Sequence, residues 1–262
     1  RMNLKKKISF FIIKIDRYLL KKKFISIFDG PLKGYKWSTA YNYEYLTGDY
    51  EDKDIMDTFC SWLQPDTVLY DLGANVGYYA FIANRYIING QIYSFEPLPA
   101  NIAVFESHLR LNKTKLSHNS IELLPYAVAD ADKEVVFSNN DKAIEGNTYI
   151  DSVMHADSSK NLVVKCFSID SLINQGYKKP GVMKIDVEGA EYDVLRGAEQ
   201  TLRTCMPNIL LATHDCHLPG VQQQCVDFLQ NLGYELTKLK SHNKAIPGLE
   251  DYIAIHRNKV KN

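Results

Sequence analysis

The chain has 262 residues with 31 Lys+Arg and 31 Asp+Glu, so its formal net charge is zero. That balance excludes a general nucleic-acid binder, whose whole domain is usually basic. A content of 45% hydrophobic and 24% charged residues excludes a disordered chain. The zero hides a split: residues 1–36 hold 11 Lys/Arg against two acids, a balance of +9, and residues 37–262 carry −9. A basic arm on an acidic body is the expected arrangement.

Residues 3–24 read as a helix, because Leu4, Ile8, Phe11, Ile12, Ile15 and Leu19 recur at three- and four-residue steps. Lysines flank both of its ends. Two readings stay open. The helix packs on the body or on a second copy of the chain, giving a homo-oligomer, or it lies on an anionic membrane as a basic amphipathic anchor. Its longest apolar stretch, Phe10 to Ile13, is far short of the roughly 20 residues of a membrane span, and no small-residue cleavage site follows it. Residues 25–65 form a second segment. Gly30, Pro31 and Gly34 mark turns, and Tyr35, Trp37, Tyr41, Tyr43, Tyr45 and Tyr50 then crowd together. Such a segment either packs against the following domain or covers an acceptor site as a lid. Asp54 to Leu63 is expected to be helical.

From residue 66 to 262 strands and helices alternate, which predicts βαβ units and a mostly parallel sheet. The strands are expected at 67–71, 91–96, 121–124, 182–185 and 208–213, with helices at 78–88, 98–112, 190–203 and 221–232. Two polar-rich strands, 134–137 and 162–167, flank a loop-like stretch at 138–160. Ser168 is expected to cap a short helix ending at Asn174. Strands at 234–239 and 252–256 close the chain. The five cysteines are widely spaced and form no CxxC pair. This speaks against a disulfide framework or a zinc ribbon and for a reducing, cytoplasmic compartment.

The first strand runs into Asp71-Leu72-Gly73-Ala74-Asn75-Val76-Gly77. In a doubly wound sheet, ligands bind outside the carboxyl ends of the strands, and a glycine-bearing first βα turn lets the backbone approach a nucleotide closely. The spacing is not G-x-G-x-x-G, which disfavours a nicotinamide enzyme. Asp71 would repel a pyrophosphate but suits an amino group. The second strand ends in Phe95-Glu96-Pro97, and an acid there accepts hydrogen bonds from both ribose hydroxyls. A ribose site beside a carboxylate, with no phosphate cradle, fits S-adenosylmethionine.

Together with Lys184-Ile185-Asp186-Val187-Glu188-Gly189-Ala190-Glu191 and Leu195-Arg196-Gly197-Ala198, these motifs resemble the FkbM family of class I S-adenosylmethionine-dependent methyltransferases. The likeness runs from about residue 66 to 238. It implies a Rossmann-like α/β domain: a mostly parallel seven-stranded sheet with helices on both faces, behind an N-terminal helical and aromatic extension. It further implies O-methylation of a hydroxyl on a sugar, glycolipid or natural-product acceptor. Asp71, Gly73, Ala74, Asn75 and Gly77 would surround the methionine part of the cofactor, with Asp71 near its ammonium. Glu96 would hold the ribose. Pro97, Leu98, Tyr126 and Ala127 would lie near the adenine.

Methyl transfer to an alcohol needs an aligned, deprotonated oxygen. Asp186, Glu188, His214 and Asp215 stand at the carboxyl ends of the fourth and fifth strands, which would face the methyl group, and are the candidate bases. Asp186 would touch substrate or cofactor. His214 is the natural base, since an unperturbed imidazole is largely neutral at pH 7. Glu191, in the first turn of the next helix, is expected to act on the helix dipole. A pairing of Asp186 with Asp215 could bind Mg²⁺, and His214-Asp215-Cys216-His217 resembles a zinc ligand run. Neighbours in an extended segment point in opposite directions, so no metal is assigned. The competing functions are a non-catalytic Rossmann-like binding subunit, which the intact Asp71, Glu96 and Asp186 argue against, and an N-methyltransferase.

Overall fold

The structure is a computed structural model that describes residues 11–13, 15–16, 20–117, 121–138, 161–239 and 247–259. Much of the expected N-terminal helix and almost all of the stretch 138–160 therefore lie outside the described residues. Residues 11–13 are helical, with Ile13 buried and Phe11 exposed. Residues 20–23 are not helical and Phe24 begins a strand, so the helix does not reach the expected end at residue 24. No helix among the described residues is long and apolar enough to cross a membrane.

The segment 25–65 opens with an antiparallel pair, β1 (Phe24–Ser26) and β2 (Lys36–Ser38). Helices α1 (Tyr43–Thr47) and α2 (Lys53–Ser61) follow. Its turns interlock: a side chain on Gly48 would run into the Asp29 carbonyl, and one on Gly30 into the Gly48 backbone. Both glycines have positive φ, +79° and +84°, a region that costs most other residues energy. Trp37 is fully buried and stacks on His108, ring centroids 3.9 Å apart. Tyr45 stacks on Tyr50 at 3.7 Å.

The body proceeds through β3 (Val68–Leu72), α3 (Tyr78–Ala83), β4 (Gln91–Phe95), α4 (Pro99–Leu111) and β5 (Ile121–Leu124). Next come β6 (Ala127–Val128), β7 (Lys133–Ser138), β8 (Asn161–Phe167), α5 (Ile169–Asn174) and β9 (Val182–Ile185). Helices α6 (Glu191–Arg196) and α7 (Glu199–Cys205) lead to β10 (Asn208–His214), α8 (Val221–Asn231), β11 (Tyr234–Lys238) and β12 (Leu249–His256). Seven strands form one sheet in the order β11-β12-β10-β9-β3-β4-β5. All neighbours are parallel except β12, which runs against both β10 and β11. Helices cover both faces, so β3 and β9 are almost wholly buried, as central parallel strands are. Strands β6, β8 and β7 make a separate small sheet.

One boundary differs for a clear reason. The helix expected over 190–203 is two helices. The Gly197 carbonyl accepts from Asp170 N at 2.9 Å, and the Asp170 carboxylate then accepts from Gln200 N at 2.9 Å and Thr201 N at 2.8 Å. Asp170 thus caps α7 from a distant part of the chain. A side chain at Gly197 would strike the Ala129 carbonyl, so this glycine permits the close approach of β6. Ser168 caps α5 as expected, accepting from Ser171 N.

Candidate active site

The turn after β3 is shaped by its neighbours on both sides. Gly73 N and Ala74 N both donate to the Phe95 carbonyl, at 3.0 and 2.9 Å, tying the turn to β4. Gly73 has φ +74°, and a side chain there would collide with the Asp186 carbonyl. Asn75 takes φ +50°, and its N–H donates to Glu96 Oε2 at 2.8 Å. A side chain on Gly77 would enter the Phe105 ring. The spacing of the motif is therefore a record of close approaches.

Glu96 is buried at the tip of β4. Its Oε1 accepts from Leu98 N at 3.0 Å and Asn101 Nδ2 at 3.2 Å. Burial pushes its pKa up, and these hydrogen bonds together with that from Asn75 work the other way. Asn101 Oδ1 in turn accepts from the Tyr41 hydroxyl at 2.8 Å, so the aromatic segment fixes the carboxylate from behind. Pro97 and Leu98 are half-buried beside it. Tyr126 meets Phe167 edge-on at 4.9 Å, and Ala127 is buried in β6.

Asp71 lies beneath the turn and is wholly buried. It pairs in register with Lys184 of β9. Lys184 Nζ sits 3.7 Å from Asp71 Oδ1 and 3.4 Å from Asp186 Oδ2, and donates to the Gly73 carbonyl at 2.8 Å. Burial disfavours the ammonium, but the Asp186 and Asp71 carboxylates outweigh it and raise its pKa. Lys184 thus joins both ends of the site. Nothing in the sequence marked it beyond its place in the Lys-Ile-Asp-Val-Glu-Gly run.

Asp186 and Glu188 follow β9, and His214 is the last residue of β10. His214 Nδ1 lies 2.8 Å from Oε1 of Glu191, a wholly buried acid that also accepts from Gly189 N at 2.9 Å. His214 Nε2 faces Asp186 Oδ1 and Glu188 Oε2, 3.5 Å from each. Glu188 has φ +56°, and its Oε2 is also 3.0 Å from His217 Nδ1. Burial opposes a charge on His214, but the Glu191 hydrogen bond and the carboxylates of Asp186 and Glu188 prevail and raise its pKa to about 9. The expectation of a neutral imidazole is corrected: these acids hold its proton at pH 7. Burial and the nearby Asp186 push Glu188 up to about 8. Glu191 orients the imidazole in addition to standing at a helix start.

Asp215, weighed as a partner of Asp186, stands outside the group formed by Asp186, Glu188 and His214. Asp215 Oδ1 accepts from Gln222 N at 2.7 Å and is spent at the start of α8. The alternation argument also fails beyond His214. The strand ends there, and His217 N and Leu218 N turn back onto the His214 carbonyl. The two imidazoles therefore stack at 5.3 Å on the same side. The aromatic segment reaches this cluster too, since the Asp186 charge acts on Tyr45 and Tyr50.

A parallel sheet with one reversed strand near its edge, bearing acids at the ends of β3, β4 and β9, is a Rossmann-like architecture. Residues 71–236 match the model of the methyltransferase FkbM domain, and the chain belongs to that family. A hexuronic acid methyltransferase, AglP, of Haloferax volcanii is 26% identical over 75% of this chain and 76% of its own length. Methyltransferase 1 of Beauveria bassiana is 24% identical over 80% of this chain and 90% of its own. The crystal structure of a methyltransferase FkbM from Methylobacillus flagellatus shares the fold, with a TM-score of 0.52 at 13% identity over 74% of this chain. The chain spans 44% of that structure's length.

Proposed function

We propose that this enzyme uses S-adenosylmethionine to methylate a hydroxyl oxygen on a sugar, glycolipid or natural-product acceptor. The observation that carries this reading is the placement of the Asp186–Glu188–His214 cluster directly across Gly73 from the Asn75–Glu96 turn. A nucleoside end and a proton-accepting end then flank one backbone crossing. The hexuronic acid named for the Haloferax volcanii relative supports a saccharide acceptor.

The turn suits this cofactor. Asn75 Oδ1 and Ser94 Oγ are buried without a hydrogen-bond partner, and a side chain at Gly73 would fill the narrowest point. When bound, S-adenosylmethionine supplies a methyl group on a sulfonium. Glu96 would hold the ribose hydroxyls, and Pro97, Leu98, Tyr126 and Ala127 would flank the adenine. Gly73, Ala74, Asn75 and Gly77 would line the methionine part. Asp71 has no exposed surface, so it would act through Lys184 and the Gly73 carbonyl, as a positioning residue.

At the other end, Asp186 would receive the proton of the acceptor hydroxyl, with Glu188 and His214 holding that carboxylate in place. A base within hydrogen-bond reach is worth about 10²–10⁴-fold, and alignment of the reacting atoms adds to it. Residues 66–262 would form the catalytic domain, with residues 25–65 walling the acceptor side. Isothermal titration of the purified chain with S-adenosylmethionine tests the cofactor half of the reading. One binding site per chain is expected; no binding at about 1 mM, the upper end of ordinary enzyme affinities, overturns it.

A further inference from the structure

His214 meets two carboxylates without closing a hydrogen bond to either. Its Nε2 stands 3.5 Å from Asp186 Oδ1 and 3.5 Å from Glu188 Oε2. A charge-assisted N–H···O⁻ bond settles at about 2.7–2.9 Å. The gap has another natural length: ligands about 2.1 Å from a tetrahedral ion stand roughly 3.4 Å apart. One atom from each of Asp186, Glu188 and His214 lies within 4.8 Å of the others. We propose that these three residues form a site for a first-row divalent cation, placed where the acceptor hydroxyl is activated.

Independent features of the site point to the same ligand. His214 is 5% exposed, and its Nε2 makes no hydrogen bond among the described residues while aiming into the cluster. Its other nitrogen is held at 2.8 Å by Glu191, which is wholly buried. A metal-binding imidazole almost always gives its second N–H to such an acceptor, which fixes the ring, and the proton that the carboxylates hold on Nε2 in the ion-free chain leaves as the cation binds. Asp186 divides its oxygens, Oδ2 toward Lys184 at 3.4 Å and Oδ1 toward the centre. One imidazole with two carboxylates suits Mn²⁺, Fe²⁺ or Zn²⁺ better than Mg²⁺ or Ca²⁺, which prefer all-oxygen shells. Three protein ligands leave positions for acceptor oxygens, and a bound cation lowers the pKa of a coordinated hydroxyl. It would also let an anionic acceptor, such as a uronate, approach a cluster that otherwise repels it.

The catalytic role of the ion rests on the methyltransferase reading; its binding does not. The test is an electron paramagnetic resonance titration of the chelator-treated full chain with Mn²⁺, alongside calorimetry with S-adenosylmethionine on the same sample. One tightly bound Mn²⁺ per chain is expected. His214→Ala and Glu188→Gln should each weaken it at least about tenfold, and Glu191→Gln, which touches no ion, about 10–100-fold. Asp215→Asn should leave it unchanged, because that carboxylate serves Gln222 N. Circular dichroism and the thermal midpoint check each variant. Should His214→Ala misfold, Glu188→Gln decides, since Glu188 is partly exposed and its replacement nearly isosteric. No Mn²⁺ binding by the native chain, or equal binding by the Glu188→Gln variant, overturns the site. Mn²⁺ bound without S-adenosylmethionine supports the site and removes the methyltransferase reading instead.

Discussion

At the Gly73–Gly77 turn the constraints are steric and backbone approaches brought in from other elements. Gly73 is small because of Asp186, Asn75 turns left to reach Glu96, and Gly77 makes way for Phe105. The acid–imidazole cluster is assembled differently. Asp186 and Glu188 leave β9, Glu191 begins α6, and His214 ends β10. The first region is a motif whose residues must sit at fixed spacing, because each answers a particular close contact. The second is a meeting of strand tips, where identity matters and spacing carries little information.

The two regions should therefore fail in different ways. The largest expected effect is His214→Ala, which should slow turnover by about 10²–10⁴-fold and leave S-adenosylmethionine affinity unchanged. Initial rates against calorimetric binding read this split, and unchanged turnover removes His214 from the reaction.

Next comes a pH effect confined to the cofactor end. His108 Nε2 accepts from Ser38 N at 2.9 Å, and its Nδ1 lies 3.0 Å from the Val76 carbonyl in the turn. Burial lowers its pKa to about 4, against about 6.5 in an unfolded chain. The folded state thus binds this proton less readily than the unfolded state. Its stabilising contribution is complete above about pH 6.5 and is lost as pH falls toward 4, up to roughly 3 kcal/mol. Denaturant unfolding between these values measures the slope, which His108→Gln should flatten. An unaltered slope in that variant assigns the acid sensitivity to other groups.

A smaller loss is expected for Glu96→Ala. Removing a hydrogen-bonding carboxylate costs about 1.5–3 kcal/mol, hence about 10–100-fold in cofactor affinity. Turnover at saturating cofactor should stay close to native. The smallest effect is Tyr41→Phe, which removes the hydroxyl behind Asn101 and should weaken cofactor binding by about 1 kcal/mol. If that variant changes turnover more than affinity, the Tyr41–Asn101–Glu96 line does not belong to the cofactor end alone.

The same contrast governs what the amino-acid sequence reveals. The alternation of apolar strands and helices gives the sheet, and Gly73, Gly77 and Glu96 give the nucleoside end. Strand β12 fits the pattern but not its direction, since nothing in Tyr252–His256 says that it runs against its neighbours. The break at Gly197 is hidden because Asp170, far away in the chain, makes the cap. Lys184 reads as one more residue of a buried strand until it lies between Asp71 and Asp186. His214 was identified by its position, but its charge depends on Glu191, which looks like an ordinary helix-start acid.

The most direct test of the account is transfer itself. The purified chain, supplied with divalent cation and methyl-labelled S-adenosylmethionine, is incubated with nucleotide sugars, uronate-bearing saccharides and lipid-linked saccharides, and the products are weighed by mass spectrometry. The account predicts a label-bearing mass gain of one methyl group on a hydroxyl oxygen of one acceptor class, lost in His214→Ala. Label on nitrogen, or equal transfer by the His214→Ala variant, would contradict it.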